Sequence, residues 1–253
     1  MTILVGGVSQ LYQGDHDLGR LAVEMLRAQE LGPDVLVEDL YYGAVAVVQL
    51  LEEVRPDMLI LVGTQERGRP AGTVERRRLE PSSGDVDVDA VQRSVGDAVV
   101  GYVDLELTTD VVRGFGALPQ RTVVIEVEPA RTEPSEELSE EARAALSTVI
   151  ELVRLEIGRV PLFELTDRLR EMLAEQRLVP SPALSALEDL LIDLRSAELN
   201  GTWGATFARR DRLRMAIAAG ETGEGMNHLD WGLWWALIEE LDRLQGAEVG
   251  AAS

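Results

Sequence analysis

Two hydrophobic periods alternate along the first 158 positions. Short apolar runs, in which neighbouring residues are all hydrophobic, read as strands: Ile3-Leu4-Val5 within 2–6, Val35-Leu36-Val37, Met58-Leu59-Ile60-Leu61-Val62, and Val123-Val124-Ile125 within 121–127. Between them, apolar residues recur every three or four positions, as Leu18, Leu21, Ala22, Met25 and Leu26 do, which is helical spacing. Helices are predicted over 18–30, 43–54, 105–114 and 139–157, the last entered through Ser139 with Glu140 and Glu141 in its first turn. Residues 73–79 are strand-like but polar, which predicts a sheet edge, and 81–97 is a polar stretch with alternating Asp85-Val86-Asp87-Val88-Asp89. A continuous apolar strand such as 58–62 needs cover on both faces. Strands separated by helices therefore predict a three-layer α/β sandwich with a mostly parallel sheet.

The pattern changes after Gly158. Pro161 and Pro180-Ser181-Pro182 punctuate segments that are helical throughout, and Leu184, Leu187, Leu190, Leu191 and Leu194 form one apolar stripe. Residues 205–219 and 228–245 read as two further helices, and all four tryptophans (Trp203, Trp231, Trp234, Trp235) fall in this half. The expected organisation is an α/β domain over 1–158 and a small all-α domain over 159–253, with 246–253 as a short disordered tail.

Composition narrows the classes of function. The 253 residues carry a formal net charge of −21, which repels nucleic acid and anionic membrane surfaces. With no cysteine, disulfides, thiolate metal sites and cysteine nucleophiles are excluded. All 24 basic residues are arginine, so lysine Schiff bases and a phosphate-loop lysine are excluded too. No apolar run is long enough to span a bilayer and no basic leader precedes the first strand, so a cytoplasmic location is expected.

Candidate chemistry collects where the first strand runs into the first helix, through Gly7-Val8-Ser9-Gln10-Leu11-Tyr12-Gln13-Gly14-Asp15-His16-Asp17-Leu18-Gly19. In an α/β sheet that junction lies at the carboxyl end of a strand, where sites are built. His16 between two aspartates reads either as part of a site or as a solvated residue in a helix-capping segment, with Asp15 or Asp17 accepting helix amide protons. Two basic clusters, Arg76-Arg77-Arg78 and Arg209, Arg210, Arg212 and Arg214, read as edge protection and intramolecular pairing or as docks for an acidic segment. The Trp231, Trp234, Trp235, Ile238 and Leu241 stripe reads as core or as a docking patch.

The first 158 residues resemble the hydrogenase maturation endopeptidases, which trim a C-terminal peptide from the large subunit of nickel–iron hydrogenases. The opening loop carries the family's glycines at 7, 14 and 19 and its acidic residue at Asp15, with Ser9 and Gln10 as departures. The family's Asp-Gly-Gly block corresponds to Asp39-Leu40-Tyr41, its Pro-Gly-Thr block to Pro70-Ala71-Gly72-Thr73, and its Gly-x-x-Pro turn to Gly116-Ala117-Leu118-Pro119. Its Glu-Pro and Leu-Ser elements correspond to Glu128-Pro129, Glu133-Pro134 and Leu138-Ser139. The helical half is not covered.

The resemblance implies a large-subunit precursor as partner, with the nickel of that substrate protein as the recognition handle. The family's three metal-ligand positions fall by register on His16, Gly63 and Gly101, and two of these have no side chain to ligate with. His16 is then the surviving metal ligand, and Asp15 and Asp39 are the catalytic candidates, orienting His16 or activating water. Asp17, Asp97 and Asp104 are further carboxylates that could complete a relocated site. Two readings stay open: a protease that processes the large subunit, or a non-proteolytic assembly factor or scaffold that binds a hydrogenase or other metalloprotein subunit.

Overall fold

The computed structural model describes residues 1–81, 104–175, 181–219 and 228–251, and these divide into two compact units, Met1–Ile157 and Gly158–Ser253. The polar stretch 82–97, Asp97 and Gly101 lie outside the described residues.

The first unit is built on a five-stranded sheet. Its strands are β1 (Ile3–Gly7), β2 (Val35–Asp39), β3 (Met58–Thr64), β4 (Val74–Leu79) and β5 (Arg121–Val127), in the spatial order β2-β1-β3-β5-β4. The first four in that order run parallel, and β4 is antiparallel to β5. Three of the four apolar runs, those of β1, β3 and β5, occupy the centre, where every residue of β1 and β3 is buried, while Val35-Leu36-Val37 falls in the edge strand β2. The half-polar runs take the edges, β2 on one side and the arginine-bearing β4 on the other. The expected three-layer α/β arrangement is therefore present.

Helices cover the sheet because its side chains alternate between faces. Leu4, Leu59, Leu61 and Val124 face a core shared with α2 (Ala44–Val54) and α3 (Leu105–Gly114), through Val47, Val48, Leu51, Val111 and Val112. The alternate set points the other way, towards α1 (Leu18–Arg27). There Gly7 and Gly19 allow strand and helix to touch: a Cβ on Gly7 would lie 2.3 Å from the Gly19 carbonyl oxygen, and one on Gly19 2.3 Å from that of Val8. Helix α4 (Glu140–Gly158) supplies Glu156, which pairs with Arg76 of β4 at 3.1 Å.

Local chemistry sets the element ends. Asp104 caps α3 by accepting from the Leu107 amide at 2.6 Å, and α2 stops at Arg55 in the left-handed conformation just before Pro56. Helix α1 ends at Arg27, three residues short of the predicted boundary, with the chain turning through Gly32 at φ +109°.

The second unit holds α5 (Val160–Ala174), α6 (Pro182–Asn200), α7 (Gly204–Ala218) and α8 (His228–Ala251). Ser181 caps α6, with Pro182 in the first turn, and Gly201 ends it at φ +76°. The leucine stripe from Leu184 to Leu194 is buried, as are Trp203 and Trp234, while Trp235 is exposed. Side chains of Trp231 and His228 lie outside the described residues. The backbone remains helical to Ala251, through positions whose composition predicts a frayed tail; no glycine pair or proline interrupts it. The arginine cluster of α7 is paired within the unit, Arg209 with Asp189 and Asp193 at 2.8 and 3.0 Å and Arg210 with Asp242 at 2.8 Å. No described helix is long and apolar enough to cross a membrane.

Candidate functional site at the carboxyl ends of the central strands

Strand β1 lies between β2 and β3, so the first crossover (β1 to β2) and the second (β2 to β3) run in opposite directions along the sheet. The crevice outside the carboxyl ends of these strands is the topological switch point of the sheet. Ser9, Asp39 and Thr64 stand around it, with the loop 8–17 above.

That loop is held from both sides. Val8 N donates to the Val62 carbonyl at 2.8 Å, and Gln10 N donates to the His16 carbonyl at 2.9 Å, closing the loop on itself. Across from it, Gly14 N donates to Ser135 O and Ser135 N to Tyr12 O, which stitches the loop to the segment following β5. A short 3-10 helix, Gly14–Asp17, then leads into α1.

Asp15 is fully buried, and its carboxylate accepts four hydrogen bonds. Ala130 N and Arg131 N reach Oδ2 at 2.7 and 2.8 Å, Ser139 N reaches Oδ1 at 2.7 Å, and Ser139 Oγ reaches Oδ2 at 2.8 Å. Burial pushes this carboxyl upward, but the bonds from Ser139, Arg131 and Ala130 outweigh it and hold the group below the usual aspartate value. Ser139 also caps α4, its Oγ accepting from Ala142 N at 3.1 Å. Asp15 thus serves the start of α4 rather than of its own helix, while Asp17 pairs with Arg20.

His16 is half-buried, with Nδ1 2.8 Å from Thr64 Oγ1 at the end of β3. Burial lowers its pKa against the opposing field of Glu66, Asp104 and Asp15, so the neutral imidazole is favoured. Asp39, at the end of β2, is half-buried and accepts from Ser9 Oγ at 3.3 Å. Burial raises its pKa despite the Ser9 bond and the fields of Arg20 and Arg27.

The position expected to supply a strand-ending acidic ligand is Gly63, which has no side chain and sits close to its neighbours. A Cβ on Gly63 would stand 3.1 Å from the Val8 carbonyl oxygen and 3.5 Å from Leu105. Among the described residues, no three His, Asp or Glu side chains form a group able to hold a metal ion. Asp104 is engaged as the cap of α3. The donor set therefore does not fit a resident divalent cation held by described side chains.

A second polar cluster was not singled out by the sequence reading. Glu126 and Glu128, both buried, follow each other on one side of β5 and its exit. Glu126 pairs with Arg69 at 2.8 Å and Arg77 at 3.0 Å. Glu128 accepts from Arg67 N, Gly68 N and Arg69 Nε at 2.9–3.1 Å. Burial pushes Glu128 up, and these three donors more than reverse it. Two glutamates at strand spacing inside an otherwise apolar run were the available signal. The cluster ties the 65–73 loop to β5, where Gly72 N also donates to the Glu128 carbonyl at 2.8 Å. Arg76 and Arg77 of the basic run are thus paired within the fold, and Arg78 donates to the Leu79, Thr122 and Gln120 carbonyls.

No family model matches the chain, and no curated protein does. Among solved structures, it is similar to hydrogenase 2 maturation peptidase from Thaumarchaeota archaeon SCGC_AB-539-E09, at 26% identity and a TM-score of 0.45 over 62% of this chain and 99% of that one. It is similar to the hydrogenase maturating endopeptidase HybD of E. coli, at 24% identity and 0.44 over 60% and 90%. The [NiFe] hydrogenase maturation protease HycI of Thermococcus kodakarensis KOD1 matches at 20% and 0.40 over 62% and 91%. These structural neighbours are hydrogenase maturation endopeptidases.

Proposed function

We propose that this chain acts in hydrogenase maturation, taking the precursor of a nickel–iron hydrogenase large subunit and processing its C-terminus. The observation that carries the reading is the meeting of sequence blocks far apart in the chain. The opening glycine–aspartate loop, the Ala130-Arg131 backbone just after Glu128-Pro129 and the Ser139 start of α4 converge through one carboxylate, Asp15. They do so beside the switch point of the sheet, where an α/β site belongs.

Each site residue then has a role. Asp15 positions: it holds the loop that presents His16. His16 is the donor to nickel carried by the substrate protein. When Nδ1–H donates to Thr64 Oγ1, Nε2 keeps its lone pair, which is the form a metal requires. Asp39 is the base. Its desolvated carboxylate accepts a proton as a water oxygen attacks the scissile carbonyl carbon, and returns it to the amide nitrogen as the C–N bond breaks.

A second reading keeps the same cleft and partner without cleavage, as an assembly factor. The glycine at the expected ligand position 63 and the incomplete donor set among the described residues favour it. Native mass spectrometry of the full chain with nickel-loaded precursor separates the two. Precursor shortened by a C-terminal peptide supports processing, and a stable complex with intact precursor supports the assembly factor. Neither cleavage nor complex overturns both.

A further inference from the structure

Asp39 meets one hydroxyl, and it comes from a position where the opening loop departs from the family's pattern. Ser9, two residues past the end of β1, is 2% exposed, and its Oγ donates to Asp39 Oδ1 at 3.3 Å. The backbone on both sides of this bond is anchored. Val8 N donates to the Val62 carbonyl at 2.8 Å, carrying the pairing of β1 with β3 one residue past the strand. Leu40 N donates to the Gly7 carbonyl at 2.8 Å, next to the register pair Gly7 and Asp39. Leu40 is fully buried and packs so closely on β1 that a Cβ on Gly6 would lie 2.3 Å from its Cδ1. The freedom left at Asp39 is that of its own side chain, and Ser9 Oγ is the group that restrains it.

Among the described residues, no other hydrogen bond reaches the Asp39 carboxylate. The charged groups of α1 and the turn before it are engaged elsewhere: Arg20 with Asp17 and Glu24, Arg27 with Glu38 and the Val37 carbonyl. Arg20, Arg27 and Asp17 act on Asp39 through their fields, and Glu38 and Tyr42 are its titratable neighbours in the chain. Burial disfavours the ionised carboxylate, and a hydroxyl that donates to it works the other way. One oxygen held by a donor leaves the second as the proton acceptor.

We propose that Ser9 is the positioning residue for the Asp39 base: its hydroxyl holds Oδ1 and leaves Oδ2 to take the proton of the attacking water. The inference deepens the proposed function and rests on it for the use of Asp39 as a base.

The bond is tested first on the full chain alone. Carboxyl-carbon NMR, with Asp39→Asn to assign the resonance, follows the titration of Asp39. Ser9→Ala removes the donor and keeps the backbone bonds, so the midpoint should rise by about 0.5 pH unit or more. Ser9→Gly should match it, and Ser9→Thr, which keeps a hydroxyl, should stay near the wild type. A serine that only fills space would leave the midpoint unmoved in Ser9→Ala and Ser9→Gly, and that result overturns the inference whatever happens to the precursor. With nickel-loaded precursor, Ser9→Ala should lower kcat about fivefold or more at unchanged KM, and the acid limb of kcat should move to higher pH with the Asp39 midpoint. Cleavage with the same kcat and pH profile as the wild type would keep the proposed function and remove Ser9 from it. A raised midpoint beside a precursor that the wild type leaves uncut would keep the hold of Ser9 on Asp39 and remove the proposed function.

Discussion

Asp15 and Ser139, 124 residues apart in sequence, are joined twice, Ser139 N donating to Oδ1 and Ser139 Oγ to Oδ2. With the two amides at 130 and 131, they make one buried carboxylate the fastener between the first loop and the entry to α4. Asp15→Asn turns an amide N–H donor towards groups that are themselves donors, so destabilisation of about 3 kcal/mol is expected in urea unfolding. The native pKa is depressed, so the contribution of Asp15 is present above ~3.9 and lost as pH falls through the lower native value. The variant should therefore show a shallower loss of stability in acid than the wild type. An unchanged acid slope would contradict the role given to Asp15.

His16 should titrate below the usual ~6.5. Between its native pKa and ~6.5 the unfolded chain binds more protons, so stability falls as pH drops through that window and is flat with respect to this group above it. Nitrogen NMR of the imidazole should show the proton on Nδ1 at neutral pH, bonded to Thr64. Thr64→Val should shift the population towards the Nε2–H tautomer and impair processing more than it impairs folding. The same tautomer in both proteins would refute the assignment.

Strand β1 and α1 touch backbone to backbone. A methyl group at Gly7 or Gly19 would sit 2.3 Å from a carbonyl oxygen, a contact that only movement of the helix relieves. Gly7→Ala and Gly19→Ala are each expected to cost about 3 kcal/mol in denaturant unfolding. Gly204→Ala, where an added Cβ meets nothing, is the control and should stay within about 0.5 kcal/mol of wild type.

Glu156 is fully buried against Arg76. Removing Glu156 takes from Arg76 the buried carboxylate it pairs with, so Glu156→Leu should destabilise by about 3 kcal/mol. Replacing both, with Arg76→Met added, should recover most of that loss. A double variant as unstable as the single would show that the pair is not the source.

How much of this was legible depends on the range of the interaction. Apolar runs at 3–5, 58–62 and 123–125 mark the buried strands because a parallel sheet buries both faces. The Ser139 cap could be read from a local pattern. The work done by Asp15 could not, since its donors come from residues 130, 131 and 139. Sequence register also placed Gly63 at the expected ligand position, but only the packing shows how near the Val8 carbonyl lies to it. The Glu126 and Glu128 cluster was hidden for the same reason: its arginines arrive from a loop and from the edge strand β4.

The central claim is that His16, in the loop after β1, and Asp39, at the end of β2, serve the processing of a hydrogenase large-subunit precursor. Intact-mass measurement of nickel-loaded precursor, incubated with the wild type and with His16→Ala, tests it most directly. The account predicts loss of a C-terminal peptide with the wild type and an uncut precursor with the variant. A precursor of unchanged mass with the wild type, or equal cleavage by both proteins, would contradict it.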